Sequence, residues 1–414
     1  MNRLFVWCSA CWASLLFCSV VQAEIVLGVS KQEADLEVGC MYPLTGASAL
    51  WGNDAVVALE MALDEIHALP ASPKMRVYVA DTMGKQFRSR EIALNLVSRG
   101  VDVLCGVVNS NIALEVTQLA KKHQLLFLGA GHSTARLTED ERHPWYFHLN
   151  NDASQSSDAG ARYLRDVKAQ LDWKTISYIG PDYEYGHQIW QTMMASLKRH
   201  QVEYQIKDEF YSLLGQTDYR LYIDALLADP PDVLVSGHWT RDLVSFLEQA
   251  SVAGLLDKTV FVNFDTGGGY FVLSRLGDTL PEGVVLSGRS HVNWPTTTRN
   301  RNYINEFFNR TQRFPTFIAQ DAYTVVKVLD AAWQQAQPQN LVGLRNALPG
   351  LEVALPEDPE GFHSYIDAAT HKIMQYQAIG TTQQADGFRP ATRMLGEWQV
   401  YPPTQNLRQH VLAK

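Results

Sequence analysis

Residues 36–69, LEVGCMYPLTGASALWGNDAVVALEMALDEIHAL, carry the pattern that decides the fold. "LEVGCMY" (36–42) is apolar almost throughout, as a strand covered on both faces must be. "NDAVVALEMALDEIHAL" (53–69) sets Val56, Val57, Leu59, Ala62, Leu63 and Ile66 along one helical face. The loop between them, Tyr42 to Gly52, reads "YPLTGASALWG", with proline and glycine to turn the chain. Strand, loop and amphipathic helix make the first half of a βαβ unit.

The alternation continues outward. "MRVYVAD" (75–81), "VDVLCGVV" (101–108) and "LLFLGAG" (125–131) read as strands. "SREIALNLVSRG" (89–100) and "NIALEVTQLAKKH" (111–123) read as the helices between them. The pattern restarts with strands at 175–181, 232–237 and 259–265 and helices at 187–201 and 242–254. Further helices are expected near 300–310 and 320–336, and strands in 362–380 and 396–403. Strand–helix alternation with short connections predicts doubly wound parallel sheets, and two runs of it predict two α/β lobes. No low-complexity linker separates them, so ordered crossings and a hinge are expected.

The chain begins with an export signature. Residues 4–21 are almost wholly apolar behind Arg3, and Val21-Gln22-Ala23 ends them with small residues where a signal peptidase cuts. A signal peptide over 1–23, cleaved after Ala23, predicts a periplasmic protein; an uncleaved anchor is the alternative. Phe17 is too large for the site that lipid attachment at Cys18 needs. The remaining 391 residues suit two lobes better than one core. The chain has 35 basic and 44 acidic residues. An acidic surface argues against nucleic acid or anionic lipid as partner. Cys8, Cys11 and Cys18 leave with the signal peptide, and Cys40 and Cys105 stay in apolar strands. These two are core thiols or a disulfide, and spacing alone does not choose.

Ligands of such sheets bind beyond the carboxyl ends of the strands, beside helix starts. Those places hold Trp51, Ser110, Gly131, His132, Ser133, Tyr185, Trp239 and Asp265. Hydroxyls and free N–H groups at helix starts suit a carboxylate, although N-capping is the plain alternative for Ser110 and Ser133. Trp51, Tyr185 and Trp239 lie on expected loops, where pocket walls and core packing compete as explanations. Asp265 ends an apolar strand and needs a cation or a set of donors, unless it merely closes a turn with the glycines that follow.

Enzyme readings find little support. Asp265-Thr266-Gly267 matches half of an aspartic-protease pair, and no second triplet occurs. Glycines 267–269 lack the lysine of a phosphate loop. The twelve histidines show no metal-ligand spacing, and no Gly-x-Ser-x-Gly elbow is present. No catalytic residue, metal or cofactor is expected.

With these loops laid out, the chain resembles the periplasmic solute-binding proteins of the leucine/isoleucine/valine type that serve ABC importers. "YPLTGASALWG", "VDVLCGVVNS", "FLGAGHSTARLT" and "IGPDYEYG" carry the resemblance, in order, over most of 36–380. It implies a type I periplasmic binding fold, an α/β protein of two doubly wound parallel-sheet lobes joined by a three-strand hinge. Lobe 1 would take 24–148 and 290–358, and lobe 2 would take 149–289 and 359–414. Ser110, Ser133 and the Gly131 backbone would bind a ligand carboxylate. Tyr185 and Asp265 would meet an ammonium, with Trp51 and Trp239 around the side chain. Asp265 stands where amino-acid binders usually carry a longer Glu, and His132 in a normally small, neutral loop. The expectation is a monomer that binds a small organic acid, foremost an amino acid, and hands it to a membrane permease. Aromatic acids, amides or urea are the alternative ligands, and a sensory receptor on the same fold is the alternative role.

Overall fold

The computed structural model describes residues 24–404; the expected signal peptide and its three cysteines lie outside the described residues. Two sheets organise the chain. The first runs β1 (Glu24–Gly28), β3 (Met75–Asp81), β2 (Leu36–Tyr42), β4 (Val103–Gly106), β5 (Leu126–Gly129), β6 (Tyr146–His148), parallel except for β1. The second has parallel strands β8 (Gln205–Ser212), β7 (Thr175–Pro181), β9 (Val233–Ser236), β10 (Val260–Asn263) and β11 (Val285–Ser287). Antiparallel β15 (Gln377–Gln384) and β16 (Arg393–Tyr401) complete its far edge. A small sheet of β12 (Glu352–Val353), β13 (Ser364–Ile366) and β14 (Ile373–Met374) lies between.

The inner strands of each large sheet are covered on both faces, which is why β2, β4, β5, β9 and β10 read as continuous apolar runs. In β2, Val38, Cys40 and Tyr42 enter one core while Met41 enters the other. In β9, Val233 and Val235 face one core and Leu234 the opposite one. Cys40 and Cys105 are direct partners in the β2–β4 register, with Cα atoms 4.5 Å apart, and form a disulfide inside the first core.

The chain crosses between lobes after β6, after β11 and between β14 and β15. The third crossing falls later than the expected boundary at 358/359. Ile366 and Ile373 pack into the first lobe's core, and Lys372 bridges to His148 at the edge of the first sheet. The small sheet therefore belongs with lobe 1. Several elements were not expected from the sequence, chief among them the helix Ala153–Asp166. It is polar in composition, yet an Asp152–Gln155 capping box starts it and it packs on the helix Glu184–Arg199.

Candidate functional site

The loop Tyr42–Gly52 is fixed from β3: Asp81 Oδ1 accepts from the amides of Leu44 and Thr45 at 2.8 and 3.2 Å. Gly52 then lets the helix Ala49–His67 lie against that loop, since a Cβ there would stand 2.1 Å from the Pro43 carbonyl oxygen. The second lobe repeats the device. A Cβ on Gly186 would stand 2.0 Å from the carbonyl oxygen of Pro181, at the end of β7. These close approaches bring both helix starts down onto the cleft.

The helix Ser110–His123 is capped by Asn109, whose Oδ1 accepts from the amides of Asn111 and Ile112. Ser110 is therefore not the cap. Its hydroxyl has no hydrogen bond among the described residues, and the residue lines a narrow cavity between the lobes. Ser133 caps no helix either; its Oγ stands 3.4 Å from Asp265 Oδ1, across the cleft. Gly131 also lines the cavity, at φ +117°. Its N–H is given to Asn150 Oδ1 at 2.9 Å, so that backbone donor is already engaged.

Asp265 is positioned by Asn263 at the end of β10. Asn263 Oδ1 accepts from the amides of Thr266 and Gly267 at 3.2 and 2.8 Å, so the turn contact that was the alternative for Asp265 is made by Asn263. The Asp265 carboxylate instead accepts from Ser156 Oγ at 2.8 Å and from the Tyr185 hydroxyl at 3.0 Å. Arg289 Nη2 lies 2.7 Å from Asp265 Oδ2, both side chains only 3% exposed. The same guanidinium donates through Nη1 to the Gly131 carbonyl of the other lobe at 2.9 Å and sits 5.0 Å over the Phe317 ring. Burial, and then the charge of Asp265, push the Tyr185 hydroxyl well above its usual range and keep it a donor.

Of the residues singled out from sequence, Ser110, Gly131, His132, Ser133, Tyr185 and Trp239 share one cavity, and Asp265 touches its wall. Trp51 lies one step out, its ring tilted against those of Phe271 and Phe317 at 5.3 and 5.5 Å, and lines the wider mouth with Trp239. Sequence reading missed Arg289, Ser156, Tyr183, Thr266 and Phe317. Strain also gathers here: Val107 and Thr240, both β-branched, take φ of 76° and 48° beside the lining residues Val108 and Trp239. Such residues rarely adopt that region unless their surroundings impose it. The lobes are closed on each other, for Thr134 and Arg136 both bind Glu184 across the cleft, at 2.8 and 3.0 Å.

The model of the periplasmic binding protein family matches residues 35–387. The chain belongs to that family. Among curated relatives, this periplasmic binding protein is 22% identical over 251 residues to a Leu/Ile/Val-binding protein homolog of Brucella abortus (strain 2308). The match covers 58% of this chain and 59% of the relative, so it spans less than two thirds of that protein. A solute-binding protein of an ABC transporter from Rhodopseudomonas palustris BisB5, solved with 3,4-dihydroxybenzoic acid, has a similar fold. Its TM-score is 0.78 at 19% identity, covering 89% of this chain and 98% of that one. A leucine-binding protein from Thermotoga maritima MSB8 gives 0.73 at 13% identity, covering 89% and 99%. No helix among the described residues is long and apolar enough to cross a membrane.

Proposed function

We propose that this periplasmic binding protein captures a small organic carboxylate without an ammonium group, aromatic acids foremost, and delivers it to the membrane permease of an ABC importer. The observation that carries the choice is Arg289. An α-ammonium in a closed cleft needs an anion of its own. Asp265, the residue placed for it by sequence, already accepts from Arg289, Ser156 and Tyr185. An ammonium would have to displace the guanidinium and then stand beside it. A carboxylate meets no such conflict. It is offered the Ser110 hydroxyl, the positive end of the helix behind it and the field of Arg289.

The walls suit a flat ring, with Phe317, Tyr183, Tyr185 and Trp239 around the cavity. The structural neighbour holding 3,4-dihydroxybenzoic acid supports the same class. One observation favours an amino acid as second reading: Asp321 lies within the field of Arg289. A guanidinium drawn toward Asp321 would free Asp265 for an ammonium.

Binding shifts the lobes toward the closed form through contacts made only there, and the permease reads that form. The protein acts as a monomer after removal of residues 1–23. Calorimetry with benzoate, and with phenylalanine beside its deaminated partner 3-phenylpropionate, tests the ligand class. Binding of the acids with phenylalanine at least about tenfold weaker, some 1.4 kcal/mol, is expected. Tighter binding of phenylalanine than of 3-phenylpropionate overturns the choice in favour of the second reading.

A further inference from the structure

His132 lines the cavity and is the departure that the family resemblance leaves unexplained. It heads a buried chain of three groups. His132 Nε2 lies 2.9 Å from the Tyr146 hydroxyl, and the same hydroxyl lies 2.6 Å from His148 Nδ1. All three residues are at most 1% exposed. The outer nitrogens at the two ends, His132 Nδ1 and His148 Nε2, have no hydrogen-bond partner among the described residues. Orphaned buried polar atoms are rare enough to need a reason, and here two stand at opposite ends of one relay. Room for it comes from Gly129, where a Cβ would meet His132 Cε1 at 2.5 Å and the Tyr146 hydroxyl at 2.7 Å.

Burial holds both imidazoles neutral, His132 well below its usual range and His148 down to about 4. A neutral imidazole carries one N–H, and the tyrosine has one proton to give. If both imidazoles donated, the Tyr146 proton would have no acceptor, since its hydroxyl has no other partner among the described residues, so two arrangements satisfy both inner bonds and place that proton as well. In one, Tyr146 donates to His132 and accepts from His148, which leaves His132 Nδ1 protonated and His148 Nε2 bare. In the other every proton moves over, leaving His132 Nδ1 bare and His148 Nε2 protonated. The outer edge of His132 can thus donate or accept, and its choice fixes the tautomer of His148.

We propose that His132 Nδ1 is a second polar anchor of the cleft, reading a hydroxyl on the ring of a carboxylate ligand, with Tyr146 relaying the choice of donor or acceptor to His148. This rests on the carboxylate reading above and narrows it to hydroxylated acids. A residue kept only to fill space would be indifferent to that hydroxyl. An anchor left facing bare carbon loses its partner a second time, so discrimination should be large.

The test is calorimetry of wild type and His132→Leu with benzoate, 3-hydroxybenzoate and 4-hydroxybenzoate, beside ¹⁵N spectra of the imidazoles. At least one hydroxybenzoate should bind wild type about tenfold or more tighter than benzoate, and His132→Leu should bring that ratio near one while still binding benzoate. The preferred hydroxybenzoate should fix the His132 and His148 tautomers together in wild type, and His132 alone in Tyr146→Phe. An unchanged ratio in His132→Leu, with benzoate still bound, overturns the anchor and leaves the carboxylate reading standing. Tautomers in wild type that ignore the hydroxyl overturn the relay without relying on any variant's folding. Failure of all three acids to bind wild type overturns the anchor together with the reading beneath it.

Discussion

The first lobe brings to the cleft hydroxyls and backbone from loops beside helix starts, namely Ser110, Gly131 and Ser133. The second brings an ion pair, Asp265–Arg289, and the rings of Tyr183, Tyr185 and Trp239. One face is neutral and held by local capping and turn geometry. The other is charged and assembled from the ends of β10 and β11, 24 residues apart in sequence. The difference predicts unequal responses to mutation. Changes on the first face should act on ligand binding, and changes on the second should act on folding and closure as well.

The largest effect is expected at the ion pair. Arg289→Met leaves a buried carboxylate without its cation and should cost about 3–5 kcal/mol of stability in urea unfolding. Replacing both members, Arg289→Met with Asp265→Leu, should recover most of that loss, because a buried pair contributes little net stability over apolar residues of similar size. Asp265→Asn separates the two ligand readings in the same experiment. It frees Arg289 for the ligand, so benzoate should bind as well or better while the unliganded protein weakens. Phenylalanine bound by wild type and lost only in Asp265→Asn would return Asp265 to the ammonium. If the double variant stays as unstable as the single, the contrast between the faces does not rest on charge.

The contrast also explains what sequence could and could not show. The first face was legible because its residues lie in short contiguous motifs, each fixed by its own strand end. Arg289 was not, since β11 is only three residues long and the stretch after it reads as featureless loop. Nothing in spacing ties it to Asp265. Ser156 was missed with its whole helix, for "ASQSSDAGARYLRD" builds its buried face from alanines and has only Tyr163 and Leu164 as large apolar residues. Its serines are buried by tertiary packing: Ser157 bonds Thr192 of the helix Glu184–Arg199, Ser156 bonds Asp265, and Ser154 meets Lys372 of the first lobe. The Asp152-x-x-Gln155 capping box was the signal that could have found that helix. The late third crossing was missed for a similar reason: "SYI" and "IM" alternate like strands of either lobe, and only packing assigns Ile366 and Ile373 to the first core.

A medium effect is expected from pH. Burial raises the Asp321 carboxyl to about 7, with Asp265 adding to the shift and Arg289 opposing it. Glu357, on the same side of the first lobe, is raised by burial and Asp358 to about 8. A carboxyl raised in the folded state binds a proton that the unfolded chain has already lost, so stability falls as pH rises between the two values. The buried neutral imidazoles of His132, His143, His148 and His291 act in the opposite sense over the same range, so the Asp321 contribution, on the order of 2 kcal/mol between pH 5 and pH 8, should appear as the difference between the urea stability of wild type and of Asp321→Asn. That difference should shrink when Asp265→Asn is present in both proteins, because a charge that raises the Asp321 carboxyl is gone. A slope unchanged in Asp321→Asn would place the titration elsewhere, with Glu357 the first residue to examine.

The smallest effect sharpens the neutral face by separating two adjacent residues. Asn109 caps the helix Ser110–His123 and Ser110 does not, although from sequence the serine is as good a candidate for the cap. Asn109→Ala should cost about 1 kcal/mol of stability. Its effect on benzoate affinity should be slight, because the Ser110 hydroxyl stays where the cavity needs it. Ser110→Ala should do the reverse. A hydroxyl donating to a charged carboxylate contributes about 1.5–3 kcal/mol, so benzoate binding should weaken about tenfold or more while the unliganded melting temperature hardly moves. Ser133→Ala should resemble Ser110→Ala in binding but also loosen closure slightly, since its hydroxyl reaches Asp265 only across the cleft. Melting curves with and without benzoate on the three variants measure both quantities at once. Were Ser110→Ala to lower the unliganded melting temperature as far as Asn109→Ala does, the hydroxyl would be part of the scaffold. The neutral face would then have no free donor for a carboxylate, and the ligand's charge would have to be met by Arg289 alone.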